Sequence, residues 1–566
     1  MVTAADQRNC KFGTPDTERL MKCLPLHPAG LGNARHASGS RGAGRSASQL
    51  RAWLAAGLML CSGLTPALAQ TQPANAEYDV VLLQGRVLDP ESGLDAVRNI
   101  GINGGRIAIV TEAPLRGRKQ IDASAMVVGP GFIDLHSHAI NVPSNWMQAF
   151  DGVTTALELE AGSLPIARAY ENSAAARLPL HYGFSVSWAM ARLQVADGVQ
   201  ATANYEEATR QFGRPNWSQL LKPEQSAQVV ELMERGLREG GLGIGLVPGY
   251  APSSNREEYL AAGSLAARFG VPTFTHLRYK NDFEPQGVME AVLELLGVAA
   301  ATGAHMHLCH VNSTALRKVG LALSALDNAQ KSRIRVTTED YPWGAGSTVI
   351  GAPFLRPESL DQLGVASSAI TYLKTGERPA TPERLAQIQR DDPGGLAVVH
   401  YLDESKPEEM KFIDEAVLFR DVMIASDAQP FTVGGRHITT ETWPIDPSAY
   451  SHPRSVATFM RVLELYVKGQ QSMPLIDLFR RGSLLPANLV ATAAAEARLK
   501  GRIQPGMDAD IVVIDLAQAA ARASYLDPRQ PSTGVRHLLV AGQFVIENGN
   551  LNREARPGRP IRAPIR

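Results

Sequence analysis

The sequence has no excess of charge of either sign. Lys and Arg number 56, and Asp and Glu also number 56, among 566 residues. No overall field therefore favours nucleic acid or an anionic membrane surface, and we expect a small-molecule substrate and no nucleic-acid partner. An internal repeat of the solenoid type is also lacking. The chain is too long for one ordinary domain, although a barrel with an appendage accommodates it.

No apolar run is long enough to cross a bilayer as a helix. The run over residues 52–64 follows Arg51 and precedes the segment Ala67-Leu68-Ala69. A basic residue, a short apolar run and a small-x-small end are typical of a secretory signal peptide. We expect residues 1–69 to be a leader and signal peptide cleaved near Ala69. The mature chain should then be periplasmic or secreted, without an integral membrane span. A retained membrane anchor is the alternative.

Cysteine is scarce. Three of the four cysteines, Cys10, Cys23 and Cys61, precede the predicted cleavage point, which leaves Cys309 alone in the mature chain. An intrachain disulfide is therefore excluded there, even in an oxidising compartment. The stability of the mature protein must come from a large hydrophobic core.

Short apolar strands stand at both ends of the mature chain. Near the N-terminal end, short β segments separated by turns are predicted at residues 78–83 and 100–102. Near the C-terminal end, similar short β segments are predicted at residues 506–514 and 538–542. We expect the two ends to pair into one small β-sandwich. Its N-terminal part would be residues 76–129 and its C-terminal part residues 497–562.

Between these ends, apolar strands alternate with helical stretches, which is typical of parallel βαβ units. The eight strand candidates are residues 132–136, 154–160, 181–187, 242–247, 272–276, 306–310, 334–339 and 422–427. Eight such units predict an α/β fold, a (β/α)8 TIM-type barrel over residues 130–496. The active site of such a barrel lies at the carboxyl ends of its strands.

Polar residues close several of these strands. His136 and His138 follow a Gly-Pro-Gly turn and a short apolar strand, and alternation aims both side chains at one point. Two converging imidazoles can hold a zinc-type metal. The other strand-end candidates are Glu160, His276, His310 and Asp427. We expect a divalent metal centre of one or two ions, with zinc as the first choice.

The second strand carries two acids, Glu158 and Glu160, which alternation places on one face. Two carboxylates in an apolar strand are costly unless a cation compensates them. We take Glu160, the one nearer the barrel rim, as the metal ligand and Glu158 as the alternative.

The sixth strand carries further potential ligands. Cys309 alternates away from His310 and is interpreted as a small buried hydrophobe facing the helix layer. His305 and His307 share this outward phase, so we do not expect them at the metal.

The segment around His136 and His138 resembles the opening signature of the amidohydrolase superfamily, metal hydrolases built on a β/α barrel. Residues 505–510 resemble the Pro-Gly-x-x-Ala-Asp segment of that superfamily. Residues 275–278, 339–343 and 451–455 are similar to D-aminoacylase motifs. Over residues 78–562 the chain resembles the N-acyl-D-amino-acid deacylases, and within them the D-glutamate deacylase branch.

This resemblance implies metal-dependent hydrolysis of the amide bond of N-acyl-D-amino acids, with N-acyl-D-glutamate as the first choice. Asp427 would act as general base and then acid for a metal-activated water. Arg278 and Arg454 would hold the amino-acid carboxylate, and Tyr341 would add a hydrogen bond. Two alternatives stay open, because a fold hosts many functions. One is a dipeptidase or cyclic-amide hydrolase of the same superfamily, and the other is a non-catalytic periplasmic binding protein.

Two positions depart from the family pattern. D-aminoacylases have a cysteine in the second-strand region that carries Glu158 and Glu160 here. They also have a lysine two residues after the position of His310, where this chain has Asn312. Many superfamily members bridge two metals with a carbamylated lysine. Lys222, at a predicted helix start, is a poor candidate for that role.

Overall fold

The structure is a computed structural model that describes residues 77–566. The strands are β1 (Glu77–Asp89), β2 (Leu94–Asn103), β3 (Arg106–Thr111), β4 (Arg116–Asp122), β5 (Val127–Pro130), β6 (Phe132–Asp134), β7 (Val153–Ser163), β8 (His181–Ser187), β9 (Ile244–Leu246), β10 (Pro272–Thr275), β11 (His305–Leu308), β12 (Val336–Asp340), β13 (Ala345–Val349), β14 (Ile370–Tyr372), β15 (Leu396–His400), β16 (Met423–Ile424), β17 (Thr432–Val433), β18 (Arg436–His437), β19 (Ile511–Ile514), β20 (Val535–Val540), β21 (Gln543–Glu547) and β22 (Asn550–Leu551).

The α-helices are α1 (Val142–Phe150), α2 (Ile166–Ala176), α3 (Trp188–Asp197), α4 (Tyr205–Arg210), α5 (Pro223–Arg238), α6 (Arg256–Phe269), α7 (Val288–Thr302), α8 (Val311–Ala315), α9 (Val319–Lys331), α10 (Pro357–Leu363), α11 (Pro382–Asp391), α12 (Pro407–Leu418), α13 (Arg454–Ala457), α14 (Phe459–Val462), α15 (Leu475–Phe479) and α16 (Leu485–Val490). Two π-helical turns, Leu463–Gly469 and Arg480–Leu484, follow α14 and α15.

Strands from both chain ends form one nine-stranded sheet. Its order is β22-β21-β20-β19-β5-β1-β2-β3, and β4 pairs with β1. The two ends meet where β5 and β19 pair antiparallel, with Val128 opposite Val513. Apolar side chains from both ends, including Val87, Ile511 and Phe544, form one cluster. The expectation of a β domain built from both chain ends is confirmed.

Eight parallel strands form the central barrel, in the order β6 to β12 followed by β16. Each observed strand overlaps one of the eight predicted segments. The first and last strands meet where the Ser426 amide donates to Asp134 Oδ1 at 2.9 Å, and where Ser137 bridges to Ala428. The (β/α)8 barrel is therefore confirmed. Because its strands are parallel, all their carboxyl ends lie at one mouth.

A three-stranded antiparallel sheet lies between the seventh and eighth barrel strands in the chain. Its order is β13-β15-β14, with Ser347 opposite Val398. None of these strands was predicted. Residues of β13 reach the barrel mouth, where Gly346, Ser347 and Thr348 line a pocket.

Residues 77–566 contain no helix with both the length and the apolar character needed to cross a membrane. The predicted leader and signal peptide, residues 1–69, fall outside the described residues.

Candidate metal centre

His136 and His138 follow β6 and aim at one point. Their Nε2 atoms are 3.3 Å apart, and both side chains are buried. The approach of β6 to β7 depends on Gly131, because a Cβ there would lie 2.1 Å from Thr154 Cγ2. The Gly-Pro-Gly turn thus brings the histidine segment against the second strand.

The Glu160 carboxylate lies among four histidines. Its Oε1 is 2.7 Å from His310 Nε2 and 3.0 Å from His276 Nδ1. Its Oε2 is 3.2 Å from His136 Nε2 and 3.6 Å from His138 Nε2. Burial alone would raise the pKa of Glu160, but the positive charges of His136 and His310 hold it well below its usual range. One carboxylate oxygen thus faces each histidine pair.

Asp427 reaches the same centre from the last strand. Its Oδ1 lies 3.5 Å from the Nε2 atoms of both His136 and His138, and its Oδ2 lies 2.8 Å from Arg454 Nη2. Burial opposes ionisation of this carboxyl group, but the charges of Arg454 and His136 hold its pKa below the usual range. The structure therefore brings together all six predicted ligands.

The second nitrogen of three of these histidines is held by a partner. His136 Nδ1 lies 2.6 Å from Glu339 Oε1, and His138 Nδ1 lies 2.7 Å from Glu158 Oε2. His310 Nδ1 lies 2.8 Å from a hydroxyl, Thr314 Oγ1. Such contacts fix ring orientation and tautomer in metal sites, and here they leave each Nε2 directed at the centre.

Glu339 is a functional residue that sequence reasoning used only as part of a motif. Burial would raise its pKa, but His136 and His307 hold it at about 2, so the group is a carboxylate that accepts a hydrogen bond from His136 Nδ1. Glu339 closes the seventh barrel strand, as the predicted ligands close theirs. That position is the signal by which the sequence could have identified Glu339.

The donor set fits a divalent cation. Ligand atoms of His136, His138 and Asp427 lie within 4.8 Å of one another, and so do those of His136, Glu160 and His310. Imidazole nitrogens and carboxylate oxygens suit zinc and related metals. In addition, His276 Nε2 is buried without a hydrogen-bond partner among the described residues.

The predicted outward phase of Cys309 and His307 is wrong. Cys309 forms a group of potential ligand atoms with His136 and Glu339, and His307 Nε2 lies 3.1 Å from Glu339 Oε2. The strand β11 ends at Leu308. His310 then has a left-handed backbone with φ of 34°. Alternation counted back from His310 across this break gives the wrong face.

A pocket opens onto the same centre. It is lined by Tyr341 and Arg454, as well as by five of the candidate ligands and Lys280. The Arg454 guanidinium lies 4.5 Å above the Tyr341 ring. A Cβ on Gly346 would lie 3.4 Å from the Tyr341 hydroxyl and 3.7 Å from Arg454 Nη1. The missing side chain at Gly346 thus leaves space beside two groups that can bind a carboxylate.

Known proteins match over nearly the whole described chain. The N-acyl-D-glutamate deacylase of Alcaligenes xylosoxydans xylosoxydans is 26% identical over 515 residues, which are 86% of this chain and 97% of the relative. The D-aminoacylase of the same organism is 23% identical over 506 residues, 83% of this chain and 95% of the relative. The chain is thus related to the N-acyl-D-amino-acid deacylases. No family model matches the sequence.

The fold is also that of a solved deacylase. The crystal structure of N-acyl-D-glutamate deacylase from Bordetella bronchiseptica, complexed with zinc and a phosphonate mimic of the tetrahedral intermediate, has a TM-score of 0.67. It is 23% identical, and the match covers 86% of this chain and all of that one. The predicted resemblance to the N-acyl-D-amino-acid deacylases is confirmed.

Arg278 is separated from the other residues that the deacylase resemblance proposed for the substrate. Its Nε donates to Glu294 Oε2 at 2.8 Å, and its Nη1 donates to the carbonyl oxygens of Pro252 and Ser254. The side chain is buried and does not line the pocket formed by described residues. Arg278 joins the loop after β9 to α7, and we leave it out of the substrate site.

Proposed function

We propose that this chain is a metal-dependent amidohydrolase that cleaves the amide bond of N-acyl-D-amino acids, with N-acyl-D-glutamate as the preferred candidate substrate. The observation that carries this proposal is the Glu160 carboxylate between two histidine pairs, beside a pocket that contains Arg454 and Tyr341. The names of the relatives support an N-acylated D-amino acid as the substrate class, and one of them names D-glutamate.

The ligands we assign to one or two divalent ions are His136, His138, Glu160, His276, His310 and Asp427. Zinc is the preferred ion, because imidazole and carboxylate are among its usual ligands. A bound ion supplies Lewis acidity and lowers the pKa of water. Glu158 and Glu339 act from outside this set, since each holds the Nδ1 atom of a ligand histidine.

Asp427 moves the proton in this proposal. Arg454 Nη2 pairs with Asp427 Oδ2, and Arg454 Nε donates to the Asp427 main-chain oxygen at 2.8 Å. These contacts fix the carboxylate and leave Oδ1 directed at the histidines. Asp427 Oδ1 takes a proton from the attacking water and then returns it to the nitrogen of the leaving amine.

The substrate carboxylate lies beside Gly346, where the Tyr341 hydroxyl and Arg454 Nη1 can donate to it. A guanidinium is well suited to a carboxylate. Asn312 supports this side of the pocket, because its Nδ2 donates to the Tyr341 carbonyl oxygen at 2.6 Å. Holding the free carboxylate here fixes which face of the chiral carbon turns toward the metal centre, and so selects one enantiomer.

A substrate panel tests the function. The purified chain is assayed with N-acetyl-D-glutamate, N-acetyl-L-glutamate, a dipeptide and a cyclic amide, before and after chelation and again after zinc is restored. We expect zinc-dependent release of acetate from the D-enantiomer. Faster turnover of the dipeptide or the cyclic amide would replace the deacylase assignment with that alternative. Binding without turnover of any substrate would favour the non-catalytic binding protein.

We also propose that the chain is exported, with residues 1–69 removed as a leader and signal peptide. The support is the sequence around Arg51 and Ala69. N-terminal sequencing of the protein from a periplasmic fraction should begin near Gln70. Recovery of the uncleaved chain from the membrane fraction would favour the retained anchor.

A further inference from the structure

Lys280 is a buried cation without a carboxylate partner. It follows β10, its side chain is 4% exposed, and it lines the pocket at the metal centre. Its ammonium nitrogen lies 4.6 Å from the ring centres of both Phe354 and Tyr401. Its hydrogen bond, to the Tyr401 hydroxyl, is long at 3.4 Å. Within residues 77–566, no carboxylate oxygen lies within ion-pair distance of this nitrogen.

Other buried cations in the described chain are paired. Arg192 lies 2.7 Å from Glu258, Arg454 lies 2.8 Å from Asp427, and Lys500 lies 2.6 Å from Asp510. A buried charge without a partner is costly, and the contacts of Lys280 with two aromatic rings offset only part of that cost. Burial therefore lowers the pKa of Lys280 to about 7. An anion bound beside Lys280 would therefore stabilise the charged form of its side chain.

The anion must come from the pocket itself. Tyr401 links the two basic groups there, because one side of its ring lies near Lys280 and a Cβ on Gly346 would lie 3.0 Å from its Cε2 atom. Gly346 also borders Arg454. The pocket thus offers two cations, Lys280 and Arg454, near Tyr401, and a ligand with two carboxylates matches this charge pattern.

We propose that Lys280 binds the side-chain carboxylate of an acylated acidic amino acid and so determines specificity for the acidic side chain. This inference rests on the proposed deacylase function, in which Arg454 and Tyr341 hold the α-carboxylate. The aromatic rings around Lys280 exclude water from the ion pair, which makes the charge of the side chain decisive.

The test compares two substrates of nearly the same shape, N-acetyl-D-glutamate and N-acetyl-D-glutamine. In Lys280→Met, kcat/KM for the glutamate substrate should fall by roughly 10- to 100-fold, the usual effect of losing a charged hydrogen bond. The value for the glutamine substrate should change little. Lys280→Arg keeps the charge and should retain preference for glutamate. Lys331→Met, which replaces a surface lysine with a 65% exposed side chain, is the matched control.

Folding does not confound this test, because replacing an unpaired buried ammonium with an apolar side chain of similar length should not lower thermal stability. Equal losses for both substrates, or no loss for either, would overturn the proposal. Calorimetric binding of the same two compounds separates the inference from the function. If the chain hydrolyses neither, the deacylase function fails. Charge-selective binding that is lost in Lys280→Met would still support the role of Lys280.

Discussion

Two buried clusters of charged side chains are built from similar residues but differ in how the charges are arranged. The metal-centre cluster comprises His136, His138, Glu160, His276, His310 and Asp427. The Lys500 cluster, where the β domain meets the barrel, comprises His181, Lys500, Asp508 and Asp510. In the Lys500 cluster, Lys500 Nζ lies 2.6 Å from Asp510 and 3.0 Å from Asp508. The other Asp510 oxygen lies 3.0 Å from His181 Nε2 and accepts from the Ala541 amide.

The two clusters differ in whether their buried polar groups are all paired with one another. Burial would lower the pKa of Lys500, but Asp510 and Asp508 raise it, so each charge in the Lys500 cluster is balanced inside the protein. In the metal-centre cluster, ligand atoms converge on a common point and His276 Nε2 has no hydrogen-bond partner among the described residues. We therefore expect the Lys500 cluster to serve stability and the metal-centre cluster to serve chemistry.

The largest expected effect comes from removing two histidines of the metal-centre cluster. A His276→Ala, His310→Ala double variant removes both histidines that face Glu160 Oε1. Because the carboxylate alone binds a cation weakly, metal content should fall and turnover should be abolished. Elemental analysis of the purified protein measures this, and unaltered metal content would refute the ligand assignment.

Removing only the proton carrier should have a smaller effect. Asp427→Asn keeps the shape of the side chain but cannot act as a base, so turnover should fall by roughly 10²–10⁴ while most of the metal stays bound. Steady-state kinetics and metal analysis on the same preparation check this. Near-full activity would exclude Asp427 as the base.

Replacing the carboxylate that holds one ligand histidine should have a smaller effect still. Glu339→Gln replaces the carboxylate that holds His136 Nδ1, and metal affinity should fall by roughly 10- to 100-fold, as is usual for outer partners of metal ligands. Competition with a chelator of known affinity measures the change. Glu409→Gln, which alters a partly buried ion pair with Arg317 away from the metal centre, is the control. Equal affinities in both variants would mean that Glu339 does not position His136.

The smallest effect on activity should come from the Lys500 cluster. Lys500→Met leaves Asp510 buried with one partner fewer, so the free energy of unfolding should fall by about 3–5 kcal/mol. Denaturant titration measures this loss, while metal content and kcat/KM of the folded protein should stay unchanged. Lys280→Met leaves no carboxylate unpaired, so kcat/KM for the glutamate substrate should fall while the free energy of unfolding is not reduced. Lost activity with unchanged stability in Lys500→Met would contradict the assignment of the Lys500 cluster to stability.

Regular parallel strands made much of the fold and site predictable. The eight barrel strands overlap the eight predicted segments, and His136, Glu160 and Asp427 close three of them and meet. A period of two residues and a shared direction are enough to place such side chains at one mouth. Prediction was poorer where the backbone leaves the strand conformation. The left-handed residue His310 reverses the faces inferred for Cys309 and His307.

The loop after β10 shows the same limit. Arg278 and Lys280 are both basic and two residues apart, and the resemblance to the deacylases implied Arg278 as a ligand of the amino-acid carboxylate. In the structure, Glu294 from α7 neutralises Arg278, whereas Lys280 enters the pocket between Phe354 and Tyr401. Outside regular structure no period tells which of two side chains points inward.

The sequence by itself determined the order of the barrel strands, the residue types at their ends and the β domain shared by both chain ends. These follow from local patterns of apolar and polar residues, because burial of apolar surface drives folding. The tertiary structure alone decided which charges are paired. Glu339 and His136 are 203 positions apart, and His181 and Asp510 are 329 apart. Electrostatic pairing depends on distance in space and on burial, and neither can be read from separation along the chain.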